Sequence, residues 1–180
     1  MKRLILFRHA KSAYPPGVED HDRPLNERGR RDAPRMGAYL AAEQLLPDLV
    51  LVSSAARTRE TFALAAPALD PLESREEPRI YEAPAERLLG VVRETPDAVR
   101  TLMLVGHNPG MEDLARTLIG FGDRYAFARL QQKFPTAGIA VVDLDVESWG
   151  EVVPKEGRLD RFVTPKGLAA ASGEADGQGE

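Results

Sequence analysis

The sequence predicts an α/β protein: a three-layer α/β/α sandwich with a mostly parallel sheet and helices on both of its faces. Three observations point there. Short apolar runs at residues 4–7, 49–52, 102–105 and 139–144 have the length and aliphatic content of buried strands. Stretches with apolar residues at helical spacing separate the first three, and strands alternating with helices are how parallel sheets are connected. At 180 residues the chain is long enough to bury one sizeable core.

Composition narrows the function. The formal net charge of −4 argues against a chain built to coat nucleic acid. There is no cysteine, which excludes disulfides, thiolate metal sites and cysteine nucleophiles. No apolar run approaches the ~20 residues of a membrane span. The start, Met1-Lys2-Arg3 and then a short strand, is too brief for a signal peptide. The expectation is a cytoplasmic protein with no nucleic-acid and no membrane partner.

The first strand ends at Arg8-His9. A polar, Pro-rich stretch from Ser12 to Pro24 follows, with the acidic cluster Glu19-Asp20-His21-Asp22, and reads as a flap over the strand ends. A helix opens at Asn26, its N-cap, with Ala33, Met36, Leu40 and Leu45 near helical register. Pro34 either kinks that helix or marks a later start capped by Asp32. The second strand, 49–52, ends at Ser53-Ser54, and a helix from about Ala56 carries Phe62, Ala65, Ala66 and Leu69 as its core stripe. A Pro- and Glu-rich loop leads to a short strand at 79–81, then a helix over 84–94. The strand 102–105 stops at Gly106-His107-Asn108-Pro109, where Asn108 caps the next helix and Pro109 takes its first position. Residues 139–144 and 151–153 read as a hairpin, with a further strand at 159–163. Residues 164–180 are Gly, Ala, Ser and acid without a core pattern. The folded domain is therefore expected over 1–163 and a disordered tail over 164–180.

Three strand ends carry the same kind of residue. The first presents Arg8 and His9, the second puts Arg57 in the first turn of a helix, and the third presents His107 at another helix start. Ligands of α/β sheets sit at the carboxyl ends of strands. Guanidinium forks and helix N-termini suit a phosphoryl group, and an imidazole can attack it or transfer a proton.

Four stretches, in order, resemble the histidine phosphatase superfamily, the family of cofactor-dependent phosphoglycerate mutase. Arg8-His9-Ala10-Lys11-Ser12 is similar to its Arg-His-Gly/Ala signature. The stretch Arg23-Pro24-Leu25-Asn26-Glu27-Arg28-Gly29 is similar to its Arg-Pro-Leu-Thr-x-x-Gly element, with Asn26 where Thr is usual. The start of the second helix, Ser53 to Thr61, resembles Ser-x-x-x-Arg-x-x-x-Thr, and Gly106-His107-Asn108-Pro109 resembles the second-histidine motif. The wording is most similar to the SixA-type phosphohistidine phosphatase branch.

The resemblance implies a phosphoglycerate mutase-like fold and a phosphatase without metal or other cofactor. In it His9 is the nucleophile that becomes a phosphohistidine, Arg8 and Arg57 hold the phosphoryl oxygens, and His107 donates to them. Arg23 matches a position lining the pocket, and Ser12 and Asn108, inside the motifs, are candidate substrate contacts. Phosphoryl transfer asks for little beyond an in-line nucleophile and donors around the equatorial oxygens.

The leaving group decides the substrate. A sugar or glycerate phosphate expels an alkoxide and needs a general acid, whereas a phosphohistidine expels an imidazole and needs little help. Glu82 and Glu86 are candidate acids, as are Asp20 and Asp22 on the flap. Without the large insertions of mutases the pocket should be shallow and open. The expected partner is a phosphorylated protein histidine, then a small phosphate ester; a non-catalytic phosphate-binding module is the third reading. Asp20, His21 and Asp22 with His9 do not suggest a metal, because two arginines in the pocket would repel a cation. Trp149, Tyr125, Phe127 and Phe134 read as packing. Lys11, Arg28, Arg30, Arg31 and Arg35 form a solvated basic face, or one that draws in an acidic partner.

Overall fold

The computed structural model describes residues 1–71 and 73–173. Among these residues seven strands form one sheet: β1 (Lys2–Arg8), β2 (Leu49–Val52), β3 (Glu73–Glu76), β4 (Thr101–Gly106), β5 (Ile119–Gly122), β6 (Ile139–Leu144) and β7 (Gly157–Val163). Their order is β3-β2-β4-β1-β6-β7-β5. β6 is the antiparallel member, paired with β1 and β7, and every other pair is parallel. The helices are α1 (Glu27–Ala42), α2 (Ala56–Leu69), α3 (Ala85–Arg93), α4 (Gly110–Leu118), α5 (Arg124–Gln132) and α6 (Pro165–Ser172).

The two-residue period of the strands sorts their side chains between two cores. Leu4, Leu6, Leu102 and Leu104 pack with Leu88 of α3, Leu114 of α4 and Leu130 of α5. Ile5, Phe7, Met103 and Val105 pack with Met36 and Leu40 of α1 and Leu69 of α2 on the other face. The expected three-layer sandwich is the observed one. Residues 4–7 are wholly buried, each side chain contributing about 1.5–3 kcal/mol by its removal from water.

α1 starts where Asn26 predicts, with the Asn26 side chain accepting from the Gly29 N–H at 2.9 Å. It runs on through Pro34, so the loss of one interior hydrogen bond is outweighed by the buried face of Ala33, Met36 and Leu40. Gly29 is required by contact: a Cβ there would stand 2.2 Å from the Lys11 carbonyl oxygen. The same carbonyl accepts from the Asn26 N–H at 3.0 Å, so the start of α1 is locked against the chain just after His9.

Several expectations need correction. The strand near 79–81 is a turn of 3-10 helix at Pro78–Ile80, and the strand lies earlier, as β3. All four β3 residues are exposed, so no apolar pattern announced it. The hairpin partner of β6 is β7; at 149–151 Ser148 and Glu151 form a capping box that starts a 3-10 turn instead. β5 and α5 were not anticipated. α4 begins at Gly110, one residue after Pro109. The tail expected from 164 opens with α6, because Thr164 accepts from the Gly167 N–H and Pro165 suits the first helical position. Pro165 and Ala169 are buried. Residues 174–180 of the expected tail lie outside the described residues. Trp149 and Phe134 are packing residues and Phe127 is half-buried, whereas Tyr125 is exposed. No helix among the described residues is long and apolar enough to cross a membrane.

Candidate active site

Sheet register brings the strand ends together. β1 and β4 pair with Arg8 opposite Gly106, and the His9 N–H donates to the Gly106 carbonyl at 3.0 Å. His9 and His107 therefore leave the sheet side by side, with ring centroids 5.3 Å apart. β2 pairs β4 with Val52 opposite Val105, and the Ser53 N–H donates to the Val105 carbonyl at 3.0 Å. That places Ser53 next to His107, whose Nε2 is 2.7 Å from Ser53 Oγ. Arg57 follows in the first turn of α2. Thr61, one turn further, ties the strand to the helix: its Oγ1 accepts from the Ala10 N–H at 3.0 Å and donates to the Arg57 carbonyl at 2.7 Å.

The hydrogen bonds assign the protons. His9 Nδ1 lies 2.7 Å from the Ala10 carbonyl, which can only accept, so Nδ1 carries the hydrogen and Nε2 holds the lone pair. Burial pushes the His9 pKa down to about 3, helped by the nearby His107, Arg8 and Arg57. His107 is likewise pushed down to about 3, first by burial and then by Arg57. Both rings are neutral at ordinary pH. Ser53 Oγ accepts from the Ala55 N–H at 3.4 Å and has its own hydrogen to give to His107 Nε2, an arrangement that puts the N–H of that ring on Nδ1.

Orphaned donors mark what the site is built to hold. Arg8 Nε, Arg57 Nε and His107 Nδ1 are buried and have no hydrogen-bond partner. Buried polar groups are nearly always paired, and these three belong to residues that the strand ends single out. Donors of this kind suit the oxygens of an anion.

The flap closes one side. Ser12 bridges Leu25, and the Ala13 N–H donates to the Pro24 carbonyl at 2.8 Å, so both ends of the segment are pinned. Asp20, in a 3-10 turn at Asp20–Asp22, gathers three partners. It accepts from Arg57 Nη2 at 3.1 Å, Arg23 Nε at 3.1 Å and the Tyr81 hydroxyl at 2.5 Å. The Tyr81 hydroxyl and the two arginines hold its carboxyl down at about 2. Tyr81 stands edge-on to His107 at 5.5 Å and to His21 at 4.7 Å. A cavity of about 420 Å³ opens here, with Arg57, His107, Tyr81, Asp20 and Glu82 on its walls.

Comparison with known proteins decides the family. The sequence profile of the histidine phosphatase superfamily (branch 1) matches residues 4–142. The chain belongs to that superfamily. An uncharacterized protein of Mycobacterium tuberculosis is 40% identical over 165 residues, covering 89% of this chain and 100% of that protein. Among solved structures, one from Agrobacterium tumefaciens assigned as phosphohistidine phosphatase SixA is 35% identical. It superposes with a TM-score of 0.78 over 91% of this chain and 98% of that one. The protein histidine phosphatase SixA complexed with tungstate, at 22% identity and a TM-score of 0.69, covers 92% of this chain and 99% of that one and shares the fold. The chain is a phosphatase of this superfamily.

Within this histidine phosphatase the predicted residues fall into two groups. Arg8, His9, Arg57 and His107 converge; Arg8 also donates to the Phe134 carbonyl at 2.9 Å. Arg23 sits one step back, over the Tyr14 ring at 4.0 Å, donating to Ser12 Oγ at 2.8 Å and to Asp20. Ser12 thus faces Arg23. Asn108 lines the cavity, but its amide donates to the Phe134 carbonyl and its Oδ1 accepts from the Glu112 N–H, so both polar ends serve the chain itself. Glu82 is on the cavity wall, whereas Glu86 is an exposed residue in the first turn of α3 and does not line it. Among the described residues no group of three or more His, Asp or Glu could hold a metal. Sequence reasoning missed Tyr81 and the linking roles of Ser53 and Thr61. The last two stand at the ends of the Ser-x-x-x-Arg-x-x-x-Thr stretch; nothing local distinguishes Tyr81.

Proposed function

We propose that this phosphatase hydrolyses phosphohistidine on proteins, by way of a phosphorylated His9 and without a metal. One observation carries the reading: a neutral His9 with its lone pair on Nε2 lies beside the buried, unpartnered donors of Arg8, Arg57 and His107. His9 Nε2 attacks phosphorus as the P–N bond of the substrate breaks, and the substrate imidazole departs with a proton taken from solvent water. Water then attacks phospho-His9, which releases inorganic phosphate and restores the neutral ring. Arg8, Arg57 and the His107 Nδ1–H stabilise the charge on the equatorial oxygens in both steps. The likeness to the SixA structure of Agrobacterium tumefaciens supports this substrate class.

Glu82 on the cavity wall favours a second reading, hydrolysis of small phosphate esters with Glu82 as the proton donor to an alkoxide. Rapid quench with a radiolabelled phosphohistidine peptide should trap label on His9, and His9→Ala should abolish turnover. Undiminished turnover by that variant would end the first reading. A kcat/KM on aliphatic esters equal to that on the peptide, collapsing in Glu82→Gln, would establish the second.

A further inference from the structure

A second cavity, of about 390 Å³, lies against the segment 133–136. Four cations line it: Arg28 at the start of α1, Arg129 near the end of α5, Lys133 after it, and Lys166 in the first turn of α6. No carboxylate does. Its apolar floor includes Phe162, over whose ring the Arg129 guanidinium sits at 5.8 Å. Arg28 is shared with Asp32 on its own helix at 3.6 Å and Lys133 also has a partner, so the positive excess of the lining rests on Arg129 and Lys166, on a chain whose net charge is −4.

A single segment of chain divides this cavity from the candidate active site. Lys133, Pro135 and Thr136 face the cavity, while the Phe134 carbonyl between them accepts from Arg8 Nη1 and from the Asn108 amide, both at 2.9 Å. The cavity beside His107 sets Asp20 and Glu82 against one cation, Arg57, so the two cavities differ in electrostatic character.

We propose that this basic cavity is a docking site for acidic side chains of the phosphoprotein, next to its phosphohistidine. The proposal rests on the phosphohistidine reading and adds a substrate orientation: carboxylates on the side of residues 133–136, and none toward Glu82. Opposite charge at a rim of this kind sets specificity and encounter more than raw affinity. A small phosphoramidate, which does not reach the cavity, should be indifferent to it.

The test combines a binding arm that needs no turnover with a kinetic arm. An unphosphorylated histidine peptide with glutamate flanks, followed by fluorescence anisotropy at low salt, should bind wild type about tenfold more tightly than the same peptide with glutamine flanks. The double variant Arg129→Glu/Lys166→Glu, at two exposed positions, should erase that difference. Arg129→Gln/Lys166→Gln should reduce it part-way. On the phosphorylated glutamate-flanked peptide the charge-reversed variant should lose about tenfold in kcat/KM, while its turnover of phosphoramidate stays within about twofold of wild type. Equal binding of the two peptides by wild type, or equal losses on both substrates, would overturn the docking site. Binding that behaves as expected while no phosphohistidine substrate is turned over would overturn the phosphohistidine reading and leave the docking site standing. Recovery of strong peptide binding only in Glu174→Gln/Asp176→Asn/Glu180→Gln would assign the cavity to the chain's own acidic end instead.

Discussion

Asp20 and Arg57 meet in two contacts: Arg57 Nη2 donates to Asp20 Oδ2 at 3.1 Å, and Nη1 donates to the Asp20 backbone carbonyl at 2.7 Å. Asp20 on the flap thus engages both terminal nitrogens of the arginine that the mechanism assigns to phosphoryl oxygens, one through its carboxylate and one through its backbone carbonyl, and Nε is left unpaired. The same carboxylate fastens Arg23 and Tyr81, so one side chain joins the flap to two walls of the site.

Asp20→Asn removes a negative charge that competes with the phosphoryl group and keeps most of the shape. Inorganic phosphate should inhibit this variant more tightly than wild type, its KI falling several-fold to about tenfold, while kcat falls as Arg57 loses its anchor. Competitive inhibition by phosphate measures both; a raised KI would show that Asp20 organises the site for the anion.

Ser53→Ala leaves His107 Nε2 without the hydroxyl that keeps its hydrogen on Nδ1. Loss of a complete oxyanion donor costs about 10²–10³ in rate, so a donor present but badly oriented should cost roughly 10- to 100-fold in kcat, with little change in KM. Steady-state kinetics with circular dichroism as a fold control checks this.

Acid should weaken the fold in a defined window. His9 and His107 have folded-state values of about 3 against 6.5 unperturbed, so between those limits the unfolded chain binds protons that the native chain does not. Stability is then complete above about pH 6.5 and declines as pH falls toward 3. Two pH units below 6.5, each histidine accounts for at most about 2–3 kcal/mol, and Tm should drop by roughly 5 °C or more. Asp20 adds at the acid end, since its carboxyl, lowered from 3.8 to about 2, stabilises above the first value and ceases to as pH falls through the second. In ring NMR spectra neither His9 nor His107 should show an inflection between about pH 5 and 8. One near 6.5 would contradict the neutral pair.

Thr61→Val keeps the volume at that position and deletes the acceptor of the Ala10 N–H. A buried donor left unpaired costs about 1–3 kcal/mol, and in a chain of this size each kcal/mol lowers Tm by about 2–4 °C. Calorimetry should show that drop together with slower turnover, because the bond also sets Arg57 against the strand that bears His9.

Legibility in the sequence tracked burial and chemistry. β1, β2, β4 and β6 were readable because each is apolar on both faces, as sheet strands covered by helices must be. β3 was hidden because Glu73, Ser74, Arg75 and Glu76 are exposed and the strand is held through its backbone. α6 carried its start signal in Thr164 and Pro165, outvoted by the Gly, Ala and acid after it. At the site, Arg8, His9, Arg57 and His107 stood out because charged or titratable residues recur where strands end. Tyr81 and the bridging carboxylate of Asp20 did not, because both act through partners about 60 and 40 positions away.

Strand and helix periodicity, caps and the residues at each strand end are local properties, and the order of amino acids suffices for them. The meeting of His9 with His107, and of both with Ser53 and Arg57, is of another kind. It depends on β4 pairing with β1 on one side and β2 on the other, with Arg8 opposite Gly106. Several apolar runs of similar length could pair in several registers, and a slip of one residue would turn every side chain to the opposite face. Packing of the two cores selects one register, and that choice brings the strand ends bearing His9, His107 and Ser53 together.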